Sequence, residues 1–233
     1  ASWVQKYDRC ENLVLDSLQV VSDAYWNNDG MDIVDCKNVR ITHCFVDAAD
    51  DGICIKSHSY DHFNDSILIS DCVVRSSASA VKFGTLSKGG FRNVHIRNIR
   101  VYDTFRSAIA IESVDGGGLE NVLVENIEAT NTGNAIFIRL GHRNGKRSKN
   151  NEVGQLRQVV LRNIKAEIAF ERPDYAYDVR GPALPFFLNI FPASITGIPG
   201  HPVQDGVLEN IEVIYPGRGN RALAYSPLER LAE

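Results

Sequence analysis

Five segments of this chain align on one another without a gap: Asp29-Gly30-Met31-Asp32-Ile33-Val34, Asp51-Gly52-Ile53-Cys54-Ile55-Lys56, Ser79-Ala80-Val81-Lys82-Phe83-Gly84, Ser107-Ala108-Ile109-Ala110-Ile111-Glu112 and Asn134-Ala135-Ile136-Phe137-Ile138-Arg139. Each passes from a polar residue through a tiny one into a strand-like alternation. The third positions (Met31, Ile53, Val81, Ile109, Ile136) and fifth positions (Ile33, Ile55, Phe83, Ile111, Ile138) are apolar. A strand of period 2 sends them to one side and the fourth and sixth residues to the other. The third positions recur at spacings of 22, 28, 28 and 27 residues. A unit of that size cannot bury its own apolar face and becomes stable only by stacking on its neighbours.

A second family interleaves with the first: Glu11-Asn12-Leu13-Val14-Leu15, Lys37-Asn38-Val39-Arg40-Ile41, Asn64-Asp65-Ser66-Ile67-Leu68-Ile69, Arg92-Asn93-Val94-His95-Ile96, Glu120-Asn121-Val122-Leu123-Val124 and Arg157-Gln158-Val159-Val160-Leu161. Two strand families sharing one period predict an all-β solenoid, a parallel β-helix. Aliphatic ladders fill its inside, and Asn ladders at its turns bond the backbone of adjacent coils. A leucine-rich repeat or an antiparallel sandwich would not produce two interleaved ladders. The composition agrees: of 233 residues, 44% are hydrophobic, enough for a core. The 25 Lys plus Arg against 29 Asp plus Glu leave no basic footprint for nucleic acid. No apolar run reaches the roughly 18 to 20 residues of a membrane span. The period breaks twice, near 140–155 in a basic loop (Gly141-His142-Arg143-Asn144-Gly145-Lys146-Arg147) and near 170–203 in a Pro- and aromatic-rich excursion carrying Tyr175, Tyr177, Phe186, Phe187 and Phe191. Long loops in compact folds tend to be functional.

The outward residues of such a ladder form one continuous strip, so Asp29, Asp32, Asp50 and Asp51 fall into one patch. Like charges crowded together raise the pKa of at least one, which is the state a general acid needs. Glycoside hydrolysis uses such a pair, one carboxyl protonating the leaving oxygen and one carboxylate serving as base or nucleophile. Two other readings stand beside it. Asp-Gly is an ordinary turn dipeptide that a solenoid repeats, and clustered carboxylates bind calcium. Trp26 stands beside the patch as a sugar-stacking or end-capping side chain. His58, His142 and His201 fall in loops, and His142 has the best case for a role because its basic loop follows the ladder directly. The five cysteines (Cys10, Cys36, Cys44, Cys54, Cys72) recur at coil positions as small stacked hydrophobes, with a Cys36–Cys44 disulfide as the alternative.

Asn27-Asn28-Asp29-Gly30-Met31-Asp32 followed by Asp50-Asp51 resembles the paired motifs of the polygalacturonase family of glycoside hydrolases, family 28. Ala80-Val81-Lys82-Phe83-Gly84-Thr85 through Gly89-Gly90-Phe91-Arg92-Asn93, and Ser194-Ile195-Thr196-Gly197-Ile198-Pro199-Gly200-His201, are similar to its bacterial members. The resemblance implies a right-handed parallel β-helix and an inverting hydrolase without metal or organic cofactor. Asp50 would be the general acid, and Asp29 and Asp51 would hold and deprotonate water. It places the family's catalytic-site His at Ser79 and its Arg-x-Lys pair at Ala110 and Glu112, so the usual helpers are absent. Either the sugar is a different one, or Lys82 and Arg139 recover the contact to a uronate. The alternative for them is a solvated lysine and an arginine paired to Glu112 across coils. Asp32, Ser79, Lys82, Glu112, Arg139 and His142 are thus the candidate substrate contacts. The implied partner is a pectin-like poly- or oligosaccharide, cleaved in exo fashion if the two loops wall one end of the groove. Such a substrate places the protein in the periplasm or outside the cell. The competing readings are a calcium-dependent polysaccharide lyase, with Asp29, Asp32, Asp50 and Asp51 as ligands and Lys82 as base, and a non-catalytic glycan-binding β-helix. The family is longer than this chain, so residues 1–233 read as a single β-helix domain truncated at both ends.

Overall fold

The computed structural model describes residues 3–25, 27–143, 152–174, 193–217 and 225. Trp26, Tyr175, Tyr177, Phe186, Phe187, Phe191 and the stretch from Asn144 through Arg147 lie outside the described residues. Fourteen strands follow one another: β1 (Gln5–Asp8), β2 (Glu11–Asp16), β3 (Gln19–Ser22), β4 (Met31–Val34), β5 (Lys37–Thr42), β6 (Phe45–Ala48), β7 (Ile53–Ser57), β8 (Asn64–Ser76), β9 (Val81–Ser87), β10 (Gly90–Ser113), β11 (Gly118–Leu140), β12 (Leu156–Ile168), β13 (Ser194–Thr196) and β14 (Val207–Ile214). Every strand pairing is parallel, and the coils wind as a right-handed β-helix of about five turns. A leucine-rich repeat or an antiparallel sandwich is thereby excluded.

The five aligned segments form one ladder. Met31 stands opposite Ile53, Ile53 opposite Val81, Val81 opposite Ile109 and Ile109 opposite Ile136. All five are at most 3% exposed. Each contributes about 1.5–3 kcal/mol of burial relative to an exposed position. In the parallel column, Phe83 meets Phe91 edge-on at 5.5 Å between centroids. The second family stacks in the same way, with Leu13, Val39, Ile67, Val94, Val122 and Val159 in one column.

The coil has three strands rather than the two expected. The third side comprises β3, β6, the later parts of β8 and β12 and the middle parts of β10 and β11, which run through the corner without a break. Its corner is a single residue in left-handed backbone: Ser17, His43, Asp71, Asn98, Asn126, Asn163 and Asn210 all have φ between 52° and 57°. Asn tolerates that region better than other residues with a Cβ, which explains its recurrence. The Asn ladders were expected to bond backbone and instead bond chiefly each other. Asn210, Asn163, Asn126 and Asn98 each donate Nδ2 to the Oδ1 of the residue one coil back, at 2.9, 3.0, 3.0 and 2.9 Å, and the run ends on the acceptor-only carboxylate of Asp71. Asn64 is the exception, donating to the Lys56 carbonyl and accepting from the Cys36 N–H. All five cysteines are free, so no Cys36–Cys44 disulfide forms, and Cys36, Cys44, Cys54 and Cys72 are buried as small apolar groups.

The tiny residue of each segment matters for what precedes it. A Cβ on Gly30 would lie 2.3 Å from Val46 Cγ1, and one on Gly52 would lie 2.5 Å from both Val74 Cγ1 and the Ala80 carbonyl. Glycine there lets the corner draw in against the third side, setting the polar residue before it at the head of the ladder.

The Asn126 side chain donates to Asn98 and accepts from Asn163, and its φ is 56°. Asn126→Ala loses both bonds and puts a Cβ-bearing residue without a compensating amide in left-handed backbone. Urea unfolding is expected to show a loss of about 2–3 kcal/mol, and a loss below about 0.5 kcal/mol would mean the ladder is ornamental.

Candidate active site

Asp29 and Asp51 head adjacent coils in one column. The Gly30 N–H donates to the Asp51 carbonyl and the Gly52 N–H to that of Ser79, each at 2.9 Å, so the column steps by one strand spacing, about 4.8 Å. Asp50 sits one residue earlier, at the corner that Ser76 holds by donating its hydroxyl to the Asp50 carbonyl. Asp29, Asp51 and Cys54 bring a ligand atom each to within 4.8 Å of one another. Asp29 is 1% exposed, Asp32 0%, and Asp50 and Asp51 6% each.

Burying that much negative charge requires counter-charge. The lysine that supplies most of it escaped the sequence reading. Lys56, in the sixth position of its segment, bonds Asp29 Oδ2 and lies 2.5 Å from Asp32 Oδ1, with the indole of Trp3 stacked 3.9 Å from its ammonium. Lys82 Nζ lies 3.4 Å from Asp51 Oδ2 and 3.5 Å from Glu112 Oε1. It is 5% exposed, which corrects the alternative of a solvated lysine. Arg139 stands opposite Glu112 in register, and Lys82 supplies an ammonium to that carboxylate among the described residues. Ser79 donates its N–H to Asp51 Oδ1 at 3.2 Å.

The strip is therefore a covered floor rather than an outward-facing surface. Asp32, Ser79 and Glu112 are fully buried, while Arg139 and His142 are half-buried at its far end. His142 lies between two anchors, the Gly141 N–H on the Ser113 carbonyl and the Arg143 N–H on that of Val114. Arg143 also clasps the buried Asp115. His58 and His201 are exposed in turns.

Burial raises the Asp50 pKa to about 7, with repulsion from Asp51 and Asp29 adding to it and Arg106 and Lys82 opposing. Burial likewise raises Asp29 to about 8, with Asp51 and Asp32 adding and Lys56 opposing. Burial also pushes Asp32 up, against Lys56. Lys56 moves up as well: burial works against its charge, and the surrounding acids overcome that. Asp29 Oδ1 is a buried oxygen with no protein hydrogen-bond partner among the described residues.

Lys56 carried a readable signal, since it occupies the strip beside Asp32. Arg106 carried none: its charge acts on Asp50 from the corner between the third side and the ladder, and no period marks it. Trp3 was legible only through register. Gln5 stands opposite Met31, which places Trp3 one coil before Asp29 in the same column.

The family model of glycosyl hydrolases family 28 matches residues 3–175. The chain belongs to this family. No curated protein matches it in sequence. Among solved structures, this family 28 chain is similar to a hyperthermoactive exopolygalacturonase from Thermotoga maritima, with 27% identity, a TM-score of 0.63, and coverage of 72% of this chain and 39% of that one. It is also similar to the family 28 exopolygalacturonase of Yersinia enterocolitica (17%, TM-score 0.65, covering 90% and 40%) and to a polygalacturonase from Erwinia carotovora ssp. carotovora (12%, TM-score 0.61, covering 93% and 52%). The family 28 chain thus spans about half or less of the length of these proteins.

The raised carboxyls make stability pH-dependent in a definite sense. The folded state holds protons on Asp29 and Asp50 that the unfolded chain releases near pH 4. Their contribution is therefore full below that pH and is lost as pH rises toward 7 and 8. Between pH 5 and 8 the unfolding free energy should fall by up to about 1.4 kcal/mol per pH unit for each such proton. Asp50→Asn should flatten that decline in urea titrations, and equal slopes in the two proteins would refute the assignment.

Proposed function

We propose that this family 28 chain carries the catalytic floor of an inverting glycosidase acting on a pectin-like polysaccharide. The observation that carries the reading is the cluster of Asp29, Asp50 and Asp51 heading adjacent coils, buried together and supplied with ammonium groups. In this reading Asp50 is the general acid. Burial, with Asp51 and Asp29 adding, raises Asp50 to about 7, so it holds a proton near neutral pH. The ammonium of Lys56 works against a proton on Asp29, which favours Asp29 as the base. Asp50 gives that proton to the glycosidic oxygen as the bond from the anomeric carbon to the leaving sugar breaks. Water attacks that carbon from the opposite face, and Asp29 and Asp51 hold it and take its proton, so the new hydroxyl has inverted configuration.

Arg139 and His142, half-buried at the end of the strip, are the residues best placed to meet a sugar carboxylate. Asp32, Ser79, Lys82 and Glu112 act from beneath by fixing the charges above them. The similar structure from Thermotoga maritima is an exopolygalacturonase, which supports exo cleavage here. A polymeric substrate of that kind argues for a protein exported to the periplasm or cell exterior. Among the described residues, no helix is long and apolar enough to cross a membrane.

A calcium-dependent lyase fits the cluster poorly. Lys56 and Lys82 place ammonium groups on three of the four carboxylates that calcium would need, and the third group nearest Asp29 and Asp51 is a thiol, a soft donor. A platform that only binds glycans gains nothing from burying carboxylates side by side at this cost.

Asp50→Asn is expected to lower hydrolysis of pectic oligosaccharides at least a thousandfold while leaving sugar binding within a few fold. Proton NMR of the wild-type reaction should show the inverted anomer first, and a chelator should leave the rate unchanged. Near-normal turnover in the variant, or an unsaturated product, would overturn the reading.

A further inference from the structure

Lys56 is 5% exposed, and its ammonium lies among groups from three coils. From β4 and the corner before it come Asp32 and Asp29, and from its own coil Asp51 and Cys54, whose thiol burial keeps neutral. Lys82 projects from the fourth position one coil on, and Lys6 stands opposite Asp32 one coil back. The indole of Trp3 covers the ammonium at 3.9 Å, a distance at which a ring face attracts a cation. A side chain so enclosed has no open route to a sugar.

We propose that Lys56 is a positioning residue: its ammonium, clamped between Asp29 and Asp32 beneath the indole of Trp3, orients the Asp29 carboxyl and opposes its protonation without touching the substrate. The geometry gives it two tasks. It ties down Asp29 Oδ2 and leaves Oδ1 a buried oxygen without a hydrogen-bond partner among the described residues. It also supplies the positive charge that makes a second proton on the cluster unfavourable, so that acid and base forms coexist among carboxylates one strand spacing apart. Asp32 then serves as the far anchor of the clamp, which accounts for a fully buried carboxylate on the strip.

This inference rests on the hydrolase reading for its kinetic test and not for its direct one. In Lys56→Met, the acidic limb of the kcat/KM profile, which reports loss of the ionised base, should move up by at least one pH unit. Turnover at pH 6 should then fall at least tenfold with KM within about threefold. Lys56→Arg should restore most of the limb position. A lysine with a merely structural role would lower activity without moving the limb. A lysine that touches sugar would raise KM instead, and either result overturns the proposal. Trp3→Leu, at a half-buried position, keeps the test alive if Lys56→Met does not fold: exposing the ammonium to water should shift the limb upward by about half a unit, and an unmoved limb counts against the clamp. Carboxyl carbon-13 NMR of labelled aspartate follows Asp29 directly. It should titrate at higher pH in Lys56→Met than in the wild type, and an unchanged titration overturns the proposal even if the protein proves to cleave no glycoside. Absence of any hydrolysis by the wild type, with the NMR shift present, would sink the hydrolase reading alone.

Discussion

Each residue of this molecule sits on its counterpart one coil away, at the spacing set by parallel backbone hydrogen bonds. That stacking rule decides which residues each column accepts. An aliphatic column gains burial at every step, as from Met31 to Ile136. An amide column gains a hydrogen bond at every step, because a carboxamide donates on one side and accepts on the other, as from Asn210 to Asp71. A carboxylate column gains nothing and repels itself. Among the described residues, Asp29 over Asp51 is thus the stack that runs against the rule, and its neighbourhood is shaped by that conflict.

The conflict is contained by ammonium groups from the same ladder. Lys56 and Lys82 come from the sixth and fourth positions of adjacent segments, so they reach back to acids without leaving the strip. Since the floor is backbone-bonded strand on both sides, these charges have little room to relax apart, and the raised pKa of Asp50 and Asp29 follows. Glycine at 30 and 52 closes the corner so that the carboxylates stand at the head of the ladder rather than on a loose turn. A site built this way is held on rigid elements, as acid and base groups with fixed separations require.

Much of this was legible from residues alone, and the misses have identifiable causes. Columns were readable because parallel stacking in register repeats a residue type at a nearly fixed interval. The third strand was not. In later coils it continues from the second through a one-residue corner, and Asn98 or Asn126 reads as a break between segments rather than a bend within one. The strip was read as outward and therefore wet. Alternation tells which side of a strand a residue takes but not what covers that side, and Trp3 and the neighbouring side chains turn Asp32, Lys56 and Glu112 into buried groups. Arg106, 56 positions from Asp50, has no period to announce it.

The sequence by itself determined the architecture, the ladder and the gathering of Asp29, Asp50 and Asp51, because spacing near one coil length converts directly into contact once strands stack in parallel. Only the tertiary structure decided the electrostatics: which ammonium meets which carboxylate, which carboxylates lose their water, and which oxygen is left over for chemistry. Those depend on side-chain reach and burial across coils, where a difference of one or two ångströms separates an ion pair from a solvated charge, and no pattern of residue types records that distance.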